Sequence, residues 1–542
     1  MSSSCNSLRC RVVTMLFLIA ITLYVAVELC LFTSDQYVFY RAVTEQGLPY
    51  LTRTERHKYK NLSDEDQIKL KLAQKKAALL ELTGNAGRMV IGLITTIIVG
   101  HISDVYGRRV ALGILMIGEI FHIGITSIII FLEWNVWLII VAGLFEAIFG
   151  GGLLCIFAIV STIIFDVTQV TIDNNTTNNN EHSFKEKKSN DQLLWILITV
   201  FDCVSSLSAS LSTPLSGTII YRYGFKAAVI TFVALFIPSL ILILFLPETN
   251  SNRKLPFKNS PKNTKVTDSS NSIVSDDVYK IIIVLNSKWW DRLMRYCSVL
   301  KYLDAFVIIL GFIILLGSIT TLTDLQYLAV YLMGTPFLWN PQQVGIYVGL
   351  TDFVSSILSV TFTVIMVKIM AKSRSDNTEN SNDKYYLNNT KGKSRKYMPQ
   401  LKWLIVILAA CLVLMIINKI LIAYAYRYDT KEASLIVYIA AVPKLVRNMG
   451  LAVVHIMFTI VTPPDKQGII QCVGEFIARI GLAISLTALP AIYLSTVTTF
   501  PEAVFIVVAV LIFISLVLDL LLFIYNDPTK SQAIEGFNEI HK

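Results

Sequence analysis

Apolar residues along this chain fall in runs of roughly 20, the length that crosses a hydrocarbon core as a helix, with polar stretches between them. Twelve runs can be marked: 12–33, 84–101, 110–132, 136–165, 193–220, 225–246, 305–332, 342–369, 402–426, 434–461, 469–495 and 502–525. Each predicts one helix. No small-residue cleavage site follows the first run, so it reads as a retained helix rather than a signal peptide. The pattern predicts an all-α polytopic membrane protein with twelve transmembrane helices in two six-helix halves. The halves are 1–246, with an external loop at 34–83, and 305–542, joined by a polar linker at 247–304.

Composition supports that division. Of 542 residues, 54% are hydrophobic and 16% charged, with a mean hydropathy of +0.60. A soluble chain carries about 25% charged residues. The net charge of +9 needs no nucleic acid, because basic loops facing an anionic leaflet account for it.

Cations in the loops set the orientation. The connection 247–304 carries ten Lys and Arg and 370–401 carries seven, on the same side as the termini and as Arg108 and Arg109. That side is cytoplasmic. The linker and the Asn-rich segments after helices 4 and 8 are too polar to bury a core and read as flexible. Asn61, in N-L-S, is then the glycosylation acceptor in an external loop, while Asn174, Asn175 and Asn388 stay bare. The eight cysteines form no CxxC or Cys/His cluster, so neither a disulfide nor a metal site is expected, and no cofactor.

One connection carries more than a turn. "GHISDVYGRRVAL" (100–112) places Gly100, Asp104, Gly107, Arg108 and Arg109 between two apolar runs. The glycines let helices approach and the chain turn tightly. The acid and guanidinium groups suit ion pairs that lock the cytoplasmic side shut in one conformation. A positive-inside turn would explain the arginines but not Asp104 with both glycines. These residues resemble the helix 2–3 signature of the major facilitator superfamily, and "FLPET" (245–249) resembles its mark at the end of helix 6.

A narrower resemblance is to the proton-coupled folate transporter and thymic stromal cotransporter family of solute carriers. It rests on "NAGRMVIGLITTIIVGHISDVYGRRVAL" (85–112), "FGGGLL" (149–154), "FDVT" (165–168), "FDCVSSLSASLSTPLSGTIIYRYGF" (201–225), "YLMGTPFLWNPQQVG" (331–345) and "TPPDKQG" (462–468). The resemblance implies a proton-handling acid at Asp202 in helix 5. It also places Thr321 where the family has a histidine and His455 where it has an arginine. External-loop cysteines of the relative have no counterpart in 34–83, so folate as substrate stays open.

Charges inside a bilayer are site candidates, because each costs several kcal/mol. Asp202 and His455 are the candidates for proton coupling. Lys444 and Arg447 share helix 10 with His455; they either attract an anionic substrate or pair with Asp324 or Asp352. Asp166 is a gate or a cap, and Glu475 and Arg479, one turn apart, neutralise each other. Arg88, Glu119, His122, Glu146, Lys419 and Asp519 are set aside as near helix ends or snorkelling.

The expected function is secondary active transport, a proton-coupled symport of an organic, anionic, folate-like solute by alternating access. The chain is not expected to be an enzyme: GxxxxGK[ST], HExxH and GxSxG are all missing. The rivals are a facilitative carrier without proton coupling and a non-transporting receptor or scaffold. Expected partners are the solute, protons and lipid, with the plasma membrane as location. "YKII" (279–282) leaves an endolysosomal membrane open.

Overall fold

A backbone in lipid must satisfy its own hydrogen bonds, and a helix does so within one segment. The computed structural model follows that rule. It describes residues 2–50, 63–150, 152–175, 180–249, 305–321, 323–379, 399–461 and 467–525, and every regular element among them is a helix. In chain order these are α1 (Ser2–Glu45), α2 (Asp64–Tyr106), α3 (Arg108–Leu132), α4 (Leu138–Ile148), α5 (Leu153–Asn175), α6 (Asn180–Tyr223) and α7 (Phe225–Phe245). Then come α8 (Ala305–Thr321), α9 (Thr323–Met333), α10 (Pro341–Glu379), α11 (Pro399–Ala425), α12 (Thr430–Lys444), α13 (Arg447–Val461), α14 (Gln467–Thr496) and α15 (Ala503–Tyr525). Among the described residues, nine stretches are long and apolar enough to cross a membrane, with three shorter apolar helices beside them.

Two expectations about extent are corrected. The loop 34–83 is largely helical, because α1 continues to Glu45 and α2 begins at Asp64. Ser63 caps α2 by accepting from the Asp66 amide at 3.2 Å, and Asp64, Glu65 and Asp66 complement the positive helix start. Those local signals outweigh a polar composition that reads as loop. The Asn-rich stretch after helix 4 is likewise helical up to Asn175 and again from Asn180.

Two apolar runs are interrupted among the described residues. The run 136–165 divides into α4 and α5 where Gly150 (φ 130°) and Gly152 (φ 73°) hold backbone angles that side chains resist. The run 434–461 divides into α12 and α13 just after Pro443. An apolar run reports burial in lipid, not helical continuity.

The exterior is apolar, with Val90, Ile230, Leu244 and Trp403 each more than 60% exposed, as a lipid-facing surface requires. The interior is knitted by small residues. Helix α6 lies along α10 so closely that a Cβ at Gly217 would meet the Pro341 carbonyl. One at Gly349 would meet Pro214 and the Ser210 carbonyl. Such close backbone approach is how helices associate without a hydrophobic driving force between them. Asn340 and Gln343 cap α10 reciprocally, at 2.7 and 3.1 Å, fixing the end that packs on Gly217. Ser206 and Ser356 hydroxyls meet at 2.7 Å across the same interface.

With native cysteines replaced, Ser206→Cys with Ser356→Cys is expected to crosslink α6 to α10 under mild oxidant. Adding Gly349→Val is expected to cut the yield several-fold, read as a gel shift after proteolysis of the 250–304 linker. Undiminished crosslinking would show that the interface does not depend on that close approach.

Candidate functional site

The turn between α2 and α3 is built around Gly107, whose φ of 114° disfavours a side chain. A Cβ there would also strike the Glu248 carboxylate. Glu248, just beyond α7, accepts from the Arg108 amide at 2.9 Å and from the Arg109 amide at 3.2 Å. The Arg108 side chain donates to Asp166 of α5 at 2.9 Å and to Ser103 at 2.9 Å, and Arg109 reaches the Leu244 carbonyl. The carboxylate thus occupies the amide end of α3, where the helix dipole favours negative charge. These bonds tie α2, α3, α5 and α7 together within the first seven helices. Glu248 was visible only as part of "FLPET"; its partner could not be read from sequence because 139 residues separate it from Arg109.

A second cluster joins α10 to the α12–α13 break. Asp352 sits 3.2 Å from the Lys444 ammonium and 3.4 Å from the Arg447 guanidinium, so the pairing alternative raised for these residues is the one the geometry realises. Lys444 is fully buried, also donates to Thr351 at 2.9 Å and lies over the Tyr347 ring. Next to Arg447, Asn448 bonds Ser355 through its amide and Ser356 through its side chain. Since Ser356 also meets Ser206, a polar chain runs from α13 through α10 to α6. The three charges sum to +1.

A third cluster gathers residues set aside above. Arg88 of α2 donates to Glu146 Oε1 of α4 at 2.6 Å, and His122 Nδ1 of α3 lies 3.3 Å from Glu146 Oε2 and 3.7 Å from Glu119 Oε2. Glu119, His122 and Glu146 are buried and hold the spacing of a metal-capable trio. Glu119 and His122 lie inside α3 and Glu146 in the last turn of α4, and none of the three snorkels, because each is buried beside an ionisable group of another helix. Glu28 and Asp35 of α1, both partly exposed, feel the Arg88 charge as well. Sequence reading passed over both: Glu28 as one acid in an apolar run, and Asp35 because it fell in the supposed loop. Lys419 and Asp519 are also fully buried.

Arg479 of α14 and Thr96 of α2 reach the Cys155 thiol of α5. The side chains of Asp104, Asp202, Asp324, His455 and Glu475, and the whole of Asn61, lie outside the described residues. Thr321 bonds back to the Gly317 carbonyl at 2.8 Å. Gly100 has open space around it, so it marks no close approach.

No family model matches the chain, and no curated protein matches it by sequence. Solved structures do match in fold. A peptide transporter POT mutant in complex with alafosfalin gives a TM-score of 0.51 at 14% identity, covering 95% of this chain and 98% of the other. A POT family transporter in complex with 5-aminolevulinic acid gives 0.50 at 12%, covering 95% and 96%. The human organic anion transporter MFSD10 (TETRAN) gives 0.49 at 14%, covering 94% and 99%. The two POT structures show that the chain shares their fold.

Asp352 is expected to be required for folding because it neutralises charge that is otherwise buried. Removing one partner of such a pair costs about 3–5 kcal/mol. Asp352→Asn should therefore lower the yield of monodisperse protein sharply in detergent gel filtration. Asp352→Asn with Lys444→Met keeps the trio at +1 and should recover most of it. Equal yields for single and double variants would remove the pairing argument.

Proposed function

We propose that the chain is a secondary transporter, a carrier rather than an enzyme, that moves an organic anionic solute by alternating access and is driven by protons. Counting α4 with α5, α8 with α9 and α12 with α13 gives twelve spans, six in 1–246 and six in 305–542, with 247–304 as a cytoplasmic linker. The Asp352–Lys444–Arg447 cluster carries the reading: two cations held beside a carboxylate of α10, the helix that packs against α6 of the opposite half, suit an anionic solute between the halves. A scaffold has no need of them.

With the basic loops cytoplasmic, α6 runs outward and α10 inward. The seal formed by Gly217, Pro341 and Gly345 then lies at the external end. Gln74 of α2 donating to the Val330 carbonyl of α9 at 2.9 Å, and Tyr50 meeting Met333, belong to the same end. This supports a conformation closed to the outside, with Arg108, Asp166 and Glu248 bracing the first half as it rocks. The plasma membrane suits an Asn61 glycan, and Asn61→Gln is expected to raise gel mobility while Asn388→Gln leaves it unchanged. A glycan at Asn388 would invert the topology.

Asp202 and His455, which face no test from the described side chains, are the coupling pair in this reading. In this reading Asp202 loads a proton from outside in one conformation and releases it inside in the other. Purified protein in liposomes, offered folates, sterol sulfates and small peptides, is expected to accumulate one class only when the exterior is acidic. Asp202→Asn mimics the protonated form and should abolish accumulation while retaining exchange. Uptake is compared at pH of about 5.5 and 7.5, on either side of the free value of a histidine. Identical pH dependence in both proteins would make the chain a facilitative carrier or move coupling elsewhere.

A further inference from the structure

We propose that Glu119, His122 and Glu146 form a binding site for one divalent transition-metal ion of the zinc, manganese or iron class. Glu119 and His122 lie one turn apart on α3 and so share a face, and Glu146 stands opposite in the last turn of α4. Their relative exposures are 0, 3 and 2%. Both Glu119 oxygens, His122 Nδ1 and Glu146 Oε2 make no hydrogen bond among the described residues, although all are buried. One donor atom from each residue lies within 4.8 Å of the others. Three ligand atoms this close together, one from each residue, describe a cation site when His122 is the tautomer with Nδ1 unprotonated. One proton would satisfy a single carboxylate–imidazole pair and leave the other carboxylate unserved.

The distances narrow the ion. Bonds of about 2.0–2.1 Å in a tetrahedron set ligand atoms about 3.4 Å apart. The observed edges at His122 are 3.3 and 3.7 Å. Calcium and magnesium favour oxygen-only sets with more ligands, and copper(I) favours sulfur; two carboxylates with an imidazole fit the borderline divalent ions. The surroundings fit as well. Arg88 holds Glu146 Oε1 at 2.6 Å, leaving Oε2 for the ion, which is the outer-shell support that metal ligands use. A Cβ at Gly152 would collide with Glu146 Oε1, so the glycine break lets the carboxylate fold back over its own helix end. With neutral imidazole the four groups sum to −1, and Asp35, which interacts with Arg88 and His122, offsets the charge a divalent ion adds. Glu-x-x-His on one helix is also the ligand spacing used in carboxylate-bridged helix bundles.

The test uses full-length protein in detergent, carrying no histidine tag and stripped by chelator, in equilibrium dialysis against zinc and then manganese. Wild type is expected to bind one ion more than Glu119→Gln or His122→Gln, or to bind it at least 100-fold more tightly, with excess magnesium and calcium failing to compete. Cys411, a buried thiol of α11 outside the trio, is the sulfur control, and Cys411→Ser should bind as wild type does. Zinc-edge X-ray absorption on wild type alone should show nitrogen and oxygen neighbours without sulfur, which keeps the test decisive where a variant misfolds. Equal binding by wild type and both variants, displacement by magnesium or calcium, loss of the ion in Cys411→Ser, or a sulfur shell would each overturn the proposal.

Discussion

A charge held among apolar helices must find its counter-charge on another helix, and that requirement shapes the interior of this protein. The dielectric around such groups is low, so an unpaired ion is far more costly than any single apolar contact gains. Arg88 with Glu146, Lys444 and Arg447 with Asp352, and Arg108 with Asp166 all obey it across different helices. Each pair fixes the rotation of two helices about their axes, which apolar packing alone leaves loosely determined. The small-residue seams then set how close the helices come.

The α6–α10 seam shows why the two devices occur together. Serine and threonine hydroxyls on α6 bond back to carbonyls of their own helix, as Ser205, Ser208 and Ser212 do, and so can be buried without partners elsewhere. That leaves a smooth face on which Gly345 and Gly349 of α10 ride at near backbone contact. Such a face tolerates sliding and rocking better than interlocked large side chains, because few rotamers change when the helices shift. In the proposed rocking, the glycine–serine seam is where the halves would move against each other.

The apolar runs made the helices legible, because lipid imposes a length and a composition that few other environments share. The signature turn was legible too, since Gly107, Arg108 and Arg109 are close in sequence and act together. What was not legible depended on the third dimension. Glu248 completes that turn from far along the chain. Glu119, His122 and Glu146 each looked like an isolated polar lapse in an apolar run until α3 and α4 were set side by side. The helix breaks were hidden for another reason: Gly150 and Gly152 interrupt hydrogen bonding without interrupting hydrophobicity.

The breaks and the charges coincide. Glu146 closes α4 immediately before the Gly150–Gly152 interruption, and Lys444 and Arg447 flank the division of α12 from α13. In the twelve-span reading these are spans 4 and 10, which occupy the same place in the two halves. An interrupted helix frees backbone groups that lipid cannot serve, so the interruption must lie inside the protein or beside water. Carriers built from repeated halves place their sites at such paired interruptions. Here the two breaks carry opposite chemistry: acids and a histidine in the first half, paired cations in the second. A solute anion drawn to the second and a cation held at the first would act on the same pair of broken spans. The division of labour between the halves follows from where the chain places its glycines and its proline.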